Sequence, residues 1–395
     1  MHILHVTLGF YPAEGWGGPV KSVHRTCAEL VRRGHKVTIY CTNLLNKKEK
    51  IRPGTFERNI DGIRVVYFDT WNLPWWPGTV GPFWMPGLPN QLKQEISEFD
   101  VVHLQGYRSP MFIPAAIAAR KANLPIITQP RGTLPVIVNS LWVKRLYDQF
   151  LGRLELDGIS ALIALQESER QQALAQHVPA ERIHIIPNGI DLREREKLPP
   201  KGSFRQKWQL PPELPLILFL GRINKKKGTD MLVEAFAHME GVSARLAIVG
   251  PDDGQLAEVQ QLIKQYHLED RVFLPGVLSG PDVLGAFQDA DLFVLPCRTD
   301  TFPNVLIESC LVGTPMVITE GCEIAHLVRD RVADVVPFDA KLFSDAMKHL
   351  LTDRERWQTY HAASEAVMRD TFSIEAVVDR VEALYRQVIA EKNKG

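Results

Sequence analysis

The sequence is short of most features that would take it away from the ordinary globular enzymes. Its 46 Lys and Arg cancel its 46 Asp and Glu, leaving a formal net charge of zero over 395 residues. The basic excess of a nucleic-acid binder is missing, so no nucleic-acid partner is expected. No apolar run reaches the roughly 20 residues that cross a bilayer. The opening residues Met1-His2-Ile3-Leu4-His5-Val6 lack a basic n-region and a small-residue cleavage site, so the expected location is the cytoplasm. Cysteines are few: Cys27, Cys41, Cys297, Cys310 and Cys322 are scattered, odd in number and free of any C-x-x-C pair. That argues against a disulfide framework or a zinc site and suits buried free thiols. Two nucleotide motifs are also absent. Gly15, Gly17 and Gly18 do not make G-x-G-x-x-G, which argues against a nicotinamide dehydrogenase, and no G-x-x-x-x-G-K-[ST] occurs, which excludes a P-loop NTPase.

What is present is an α/β pattern, twice. At 45% hydrophobic and 23% charged residues the chain has ample core, and its length suits two or three domains at roughly 150 residues each. Short β-branched runs at 3–8, 36–41, 63–68, 101–104, 125–129, 161–164 and 183–186 alternate with longer amphipathic stretches. The alternation resumes at 216–220, 245–249, 272–274, 292–295 and 315–319. Such spacing predicts buried parallel strands joined by crossover helices. Between the halves, 192–215 is charged and carries Pro199, Pro200, Pro211, Pro212 and Pro215, the composition of a linker. The expected organisation is therefore 1–191, a linker over 192–215, 216–371, and a final amphipathic helix within 372–395. That helix carries Val377, Val378, Val381, Leu384, Tyr385 and Val388 at helical spacing.

Three loops could carry chemistry. In Gly221-Arg222-Ile223-Asn224-Lys225-Lys226-Lys227-Gly228 a strand ends at Gly221, which puts Arg222 and Lys227 at the carboxyl end of a parallel strand. α/β sheets bind ligands there, and two cations near a helix N-terminus suit a diphosphate, although a solvated basic turn fits the spacing equally well. In Asp300-Thr301-Phe302-Pro303-Asn304-Val305-Leu306-Ile307-Glu308 a helix is expected to begin at Pro303, with Asp300 before it and Glu308 inside it. Carboxylates there suit paired hydroxyls of a sugar or ribose; alone, they also read as a helix-start acid and an exposed helical Glu. The loop at 9–19 offers glycine amides that could approach a phosphate.

Together these pieces resemble the retaining glycosyltransferases of family 4, with supporting similarity in Gly17-Gly18-Pro19-Val20-Lys21-Ser22-Val23, Leu30-Val31-Arg32-Arg33-Gly34-His35-Lys36, Ile186-Pro187-Asn188-Gly189-Ile190-Asp191, Gly313-Thr314-Pro315 and Phe372-Ser373. The resemblance implies a GT-B fold: two doubly wound Rossmann-like domains facing across a cleft, the first for the acceptor and the second for a nucleotide sugar. It also implies that the last helix crosses back to the first domain. It assigns Arg222 and Lys227 to the diphosphate, Glu308 to the ribose hydroxyls and Asp300 to the transferred sugar. The backbone of Phe302, Pro303, Asn304 and Val305 would face the sugar and phosphates. Gly221 falls in the same donor set, and Gly17 and Gly18 would add amides from the other domain.

Three departures from the family stand out. Asp300 replaces the more usual Glu, Arg131 replaces a histidine near the acceptor, and His103 is followed by Gln105 where a second His is common. Arg131 and His103 are the acceptor-side candidates, and His103 reads equally as a structural strand-end residue. No cofactor is expected beyond the co-substrate, a UDP-, GDP- or ADP-sugar. No metal is expected either: Asp289-Ala290-Asp291 is a D-x-D, but it lies where a helix enters a strand, and Asp252-Asp253 reads as a turn pair. The acceptor implied is a glycan or lipid-linked glycan of cell-surface polysaccharide or glycolipid synthesis. Other GT-B chemistries, such as a nucleotide-sugar epimerase, and a silent binding subunit share the same frame. Finally, Trp71, Trp75, Trp76, Phe83 and Trp84, and Lys144, Arg145 and Arg153 among Trp142, Tyr147 and Phe150, offer peripheral contact with an anionic membrane. The same aromatics serve equally as core of the first domain.

Overall fold

The structure is a computed structural model and describes residues 1–46, 49–72, 83–134 and 146–394. Trp75, Trp76, Trp142, Lys144 and Arg145 lie outside the described residues. The chain divides into two units, one comprising Met1–Gly189 and the residues from Ile374 on, the other Ile190–Ser373.

The strands of the first unit are β1 (His2–Thr7), β2 (Lys36–Thr42), β3 (Phe56–Ile60), β4 (Ile63–Phe68), β5 (Trp71–Asn72), β6 (Phe83–Trp84), β7 (Val101–Gln105), β8 (Ile126–Gln129), β9 (Ala161–Ala164) and β10 (Ile183–Ile185). Its main sheet runs β10-β9-β8-β7-β1-β2-β4-β3, parallel except for the β3–β4 hairpin. The central strands are buried on both faces, as parallel strands covered by helices must be. Leu4, Val6, Tyr40 and Leu104 point into one core, and Ile3, Val37, Ile39 and Val101 into the other. The second core is closed by the last helix, Ile374–Lys392, which contributes Ile374, Val377, Val378, Val381, Leu384, Tyr385 and Val388 as one apolar stripe. Arg33 fixes this helix, donating to Asp379 at 2.6 Å and to the Glu375 carbonyl at 2.9 Å.

The second unit holds β11 (Leu216–Leu220), β12 (Arg245–Val249), β13 (Val272–Gly276), β14 (Leu292–Leu295), β15 (Met316–Thr319) and β16 (Ala333–Val336), all parallel, in the order β13-β12-β11-β14-β15-β16. The strand order reverses between β11 and β14, and in the first unit between β1 and β7. In doubly wound sheets ligands bind outside the carboxyl ends of the strands at such a reversal.

The stretch 192–215, expected as a linker, is packed into the second unit. Leu192–Lys197 forms 3₁₀ turns and Ser203–Lys207 a short helix. Asp289, 5% exposed, accepts from the amides of Gly202 (2.6 Å), Phe204 (2.8 Å) and Arg205 (3.1 Å). Asp291 accepts from the Leu216 amide at 2.8 Å and from Arg205 at 2.7 Å. The chain instead changes unit at Gly189/Ile190 and again at Ser373/Ile374. Gly189 is glycine for a reason: a Cβ there would lie 2.9 Å from Ile374 Cα.

Candidate active site

The loop after β11 is held by contacts that only glycine permits. Gly228 (φ +69°) packs so closely on the loop after β14 that a Cβ would sit 1.9 Å from the Pro296 carbonyl oxygen. Gly250, after β12, approaches Gly221 in the same way, at 1.8 Å. Three strand ends at the reversal point of the sheet are thereby drawn together.

On this platform Asn224 caps the turn Lys225–Lys227, accepting from the Lys227 amide at 3.1 Å. The Lys227 ammonium forms an ion pair with the Asp300 carboxylate, each side chain being 16% exposed. Arg222, 57% exposed, reaches Asp253 at 2.9 Å, and Asp253 also takes the Asn224 amide group at 2.9 Å. Asp300 is fixed through its backbone: its amide donates to the Gly321 carbonyl at 2.9 Å, and its carbonyl accepts from Glu323 at 3.0 Å. The helix after it begins at Asn304, one residue later than expected, with Pro303 as the extended N-cap residue. Phe302 is buried and meets Phe372 edge-on at 6.3 Å between ring centroids. Val305 lies in the first turn of that helix, and Glu308, one turn further on, is 2% exposed. An exposed helical Glu is therefore not what the structure shows, and this buried carboxylate stands in the helix that starts beside Asp300.

Two contacts around the cations were not legible in the sequence. Arg298 donates to both oxygens of Asp230, at 2.9 and 2.8 Å, and to the Lys225 carbonyl at 2.6 Å. Its own amide donates to the Lys226 carbonyl at 2.7 Å, so it braces the turn that carries Lys227. Burial alone would raise the Asp230 carboxyl, but Arg298 and Lys225 hold it well below the usual range. Of the expected turn pair, Asp252 accepts from the amides of Gly254, Gln255 and Leu256 at 2.9 to 3.2 Å, whereas Asp253 serves Arg222 and Asn224.

In the first unit Gly17 (φ +81°) is the N-cap of the helix Gly18–Arg32, and a Cβ on it would meet nothing within 4 Å. Arg131 follows β8 with φ +54° and donates to Gln105 (2.6 Å), Ser22 (2.9 Å), Asn188 (2.9 Å) and Gln129 (2.9 Å). All four acceptors are neutral, and burial pulls its guanidinium down to about 10. Four of the five donors an arginine carries are thus committed to joining the ends of β7 and β8 to the first helix and to the segment leaving the unit. His103 is placed inside the unit, 1% exposed, with Nδ1 2.6 Å from the Tyr385 hydroxyl of the last helix. Burial, with His5 and Arg131 nearby, keeps its ring well below the usual histidine range, so it is neutral.

Two doubly wound parallel sheets, the second with cations and carboxylates at its reversal point, make this a GT-B fold. Residues 17–189 match the glycosyl transferase 4-like domain, and residues 200–367 match the group 1 glycosyl transferases. The chain belongs to the group 1 glycosyltransferases of family 4 and is a glycosyltransferase. It is 26% identical over 361 residues to a D-inositol 3-phosphate glycosyltransferase of Xylanimonas cellulosilytica, covering 86% of this chain and 84% of that one. It is 22% identical over 316 residues to the alpha-D-kanosaminyltransferase of Streptomyces kanamyceticus, covering 77% and 81%. Among solved structures, Anabaena HepE in complex with UDP and glucose superposes with a TM-score of 0.75 at 18% identity, over 98% of this chain and 100% of that one. Sucrose-phosphate synthase of Thermosynechococcus elongatus gives 0.73 at 20% identity, over 99% of each.

Proposed function

We propose that this glycosyltransferase is retaining and metal-independent, and moves a hexosyl-type sugar from a nucleotide-diphosphate sugar to a glycan or lipid-linked acceptor. The setting would be cell-surface polysaccharide or glycolipid synthesis on the cytoplasmic side. The observation that carries the donor assignment is the Lys227–Asp300 ion pair at the β11/β14 reversal, with Arg222 on the same loop. A bound diphosphate offers Lys227 a stronger partner than Asp300. Its arrival frees the Asp300 carboxylate for the hydroxyls of the transferred sugar while both cations hold the departing phosphate charge. Glu308 then takes the ribose hydroxyls, and the backbone from Phe302 to Val305 lies along the sugar and phosphates. Gly17, Gly18, His103 and Arg131 belong to the acceptor-side unit, Arg131 as organiser of the loops there. UDP, GDP and ADP are the candidate carriers, with UDP favoured by the likeness to HepE. The test is a thermal-shift screen with UDP-, GDP- and ADP-sugars, followed by NMR of the anomeric proton of the product. An inverted product would refute retention.

The two carboxylates should separate by readout. Glu308→Gln should weaken binding of the bare nucleotide, whereas Asp300→Ala should bind it almost normally and lose use of the sugar. Calorimetry with the free nucleotide decides, and equal losses of affinity in both variants would end this division of roles.

Metal removal should matter little. Arg222 and Lys227 already supply two positive charges where a divalent cation would otherwise offset the leaving group. EDTA should therefore leave most activity in place; abolition that Mn²⁺ or Mg²⁺ restores would overturn this.

Membrane contact is the third element of the proposal. Among the described residues no helix is long and apolar enough to span a bilayer. Leu146 (49% exposed), Phe150 (65%) and Leu154 (39%), however, recur every four residues along one side of the helical segment ending at Leu156, with Arg153 alongside. Trp71 and Trp84, paired across a two-stranded ribbon, are exposed as well, whereas Phe83 and Tyr147 fill the core. An apolar stripe with adjacent basic charge suits the headgroup layer. The double variant Phe150→Glu/Leu154→Glu should abolish co-sedimentation with anionic liposomes at low salt, and wild-type protein that ignores such liposomes would remove the membrane from the proposal.

A further inference from the structure

We propose that Cys297 and Cys322 form a redox-sensitive thiol pair whose closure to a disulfide disables the donor site. Twenty-five positions apart in sequence, they sit just beyond the neighbouring strands β14 and β15. The two loops are in backbone contact there: a Cβ on Gly321 would lie 2.2 Å from the Cys297 carbonyl oxygen. Thr319, at the end of β15, places its hydroxyl 3.8 Å from the Cys297 sulfur. Both residues are buried, and burial first, then the neighbouring Cys297 thiol, push the Cys322 thiol up. Asp300 lies in the same junction, paired as a parallel bridge with Cys322. The other cysteines, Cys27, Cys41 and Cys310, are buried as well.

The oxidant required is a small-molecule disulfide such as oxidised glutathione. One protein thiolate attacks it and releases one glutathione thiolate; the second protein thiolate then displaces the other from the mixed disulfide. Two protein S–H bonds and the oxidant S–S bond are broken, one protein S–S bond forms, and the two protons end on two glutathione thiols. Burial pushes the Cys322 thiol up, so closure is slow at neutral pH and faster in mild alkali, as the thiolate is the reacting form. The new bond ties the loop that carries Asp300 to the loop after β15 and disturbs the pairing of Asp300 with Lys227. This functional consequence rests on the proposed donor site; formation of the bond does not.

The test uses the full chain, fully reduced and then incubated with oxidised glutathione in mild alkali. Non-reducing peptide mapping should show a Cys297–Cys322 linkage. Sugar transfer should fall by about tenfold or more, the scale expected when a site group is misplaced by an ångström or less, and recover with dithiothreitol. Cys297→Ser and Cys322→Ser should each retain activity under the same treatment. Absence of the linked peptide, or linkage with unchanged transfer, would overturn the proposal. A reduced enzyme inert toward every nucleotide sugar would count against the donor assignment instead, and the mapped linkage would still decide whether the pair closes.

Discussion

Lys227→Ala should lower sugar transfer by about 10²–10³-fold with folding intact, the usual cost of removing one preorganised donor from a developing anion. The position supports a large effect. Lys227 is only 16% exposed, its turn is capped by Asn224, and Arg298 braces that turn through two carbonyls, so the backbone carrying the charge is set before the donor arrives. Removing the ammonium also leaves Asp300 without its ion-pair partner, which adds a repulsion toward the incoming diphosphate. Arg222→Ala should cost about 10²-fold, toward the lower end, since its guanidinium is 57% exposed and water screens part of its charge. Lys225 is the control: it sits in the same turn but is committed to Asp230 and Glu258, at 2.8 and 2.9 Å. Lys225→Ala should change turnover little. Steady-state kinetics on the three variants settle the matter, and near-normal turnover in Lys227→Ala would remove the diphosphate clamp.

What the sequence disclosed depended on how local the determining forces are. Strands buried on both faces announce themselves as β-branched runs, and the stripe from Ile374 to Val388 shows the last helix at once, because burial acts residue by residue. β3 was not legible: Glu57, Arg58 and Asn59 are exposed on an edge hairpin, so the run has no apolar signature. β16 is a four-residue edge strand broken by Asp334, too short an apolar run to stand out. The loop positions of Arg222, Lys227 and Asp300 followed from strand ends alone. Their pairing did not, because it depends on how closely Gly228 lets one strand-end loop approach the next. The neutral cage of Arg131 draws on Ser22, Gln105, Gln129 and Asn188, four positions no spacing rule connects. Pro-rich composition suggested a linker over 192–215 because the groups that order it, Asp289 and Asp291 above all, lie far away in sequence.

That carboxylate carries the second large effect, on stability. Asp289→Ala should destabilise the second unit by about 3–5 kcal/mol, since each charge-assisted hydrogen bond is worth about 1.5–3 kcal/mol and three such bonds do not add fully. The three amides it serves, those of Gly202, Phe204 and Arg205, open the helix Ser203–Lys207, so one side chain caps that helix from across the unit. For a unit of this size the loss corresponds to a fall in melting temperature of roughly 10 °C. Asp291→Ala should cost less, because its carboxylate is 45% exposed and serves one amide and one guanidinium. Were the D-x-D instead a cation site, Asp289→Ala would fold as well as wild type and lose activity that added Mn²⁺ or Mg²⁺ partly restores. Calorimetric melting of Asp289→Ala beside wild type, with and without EDTA, separates the two: an unchanged melting temperature would refute the capping role, and a large drop indifferent to EDTA is the outcome the hydrogen bonds require.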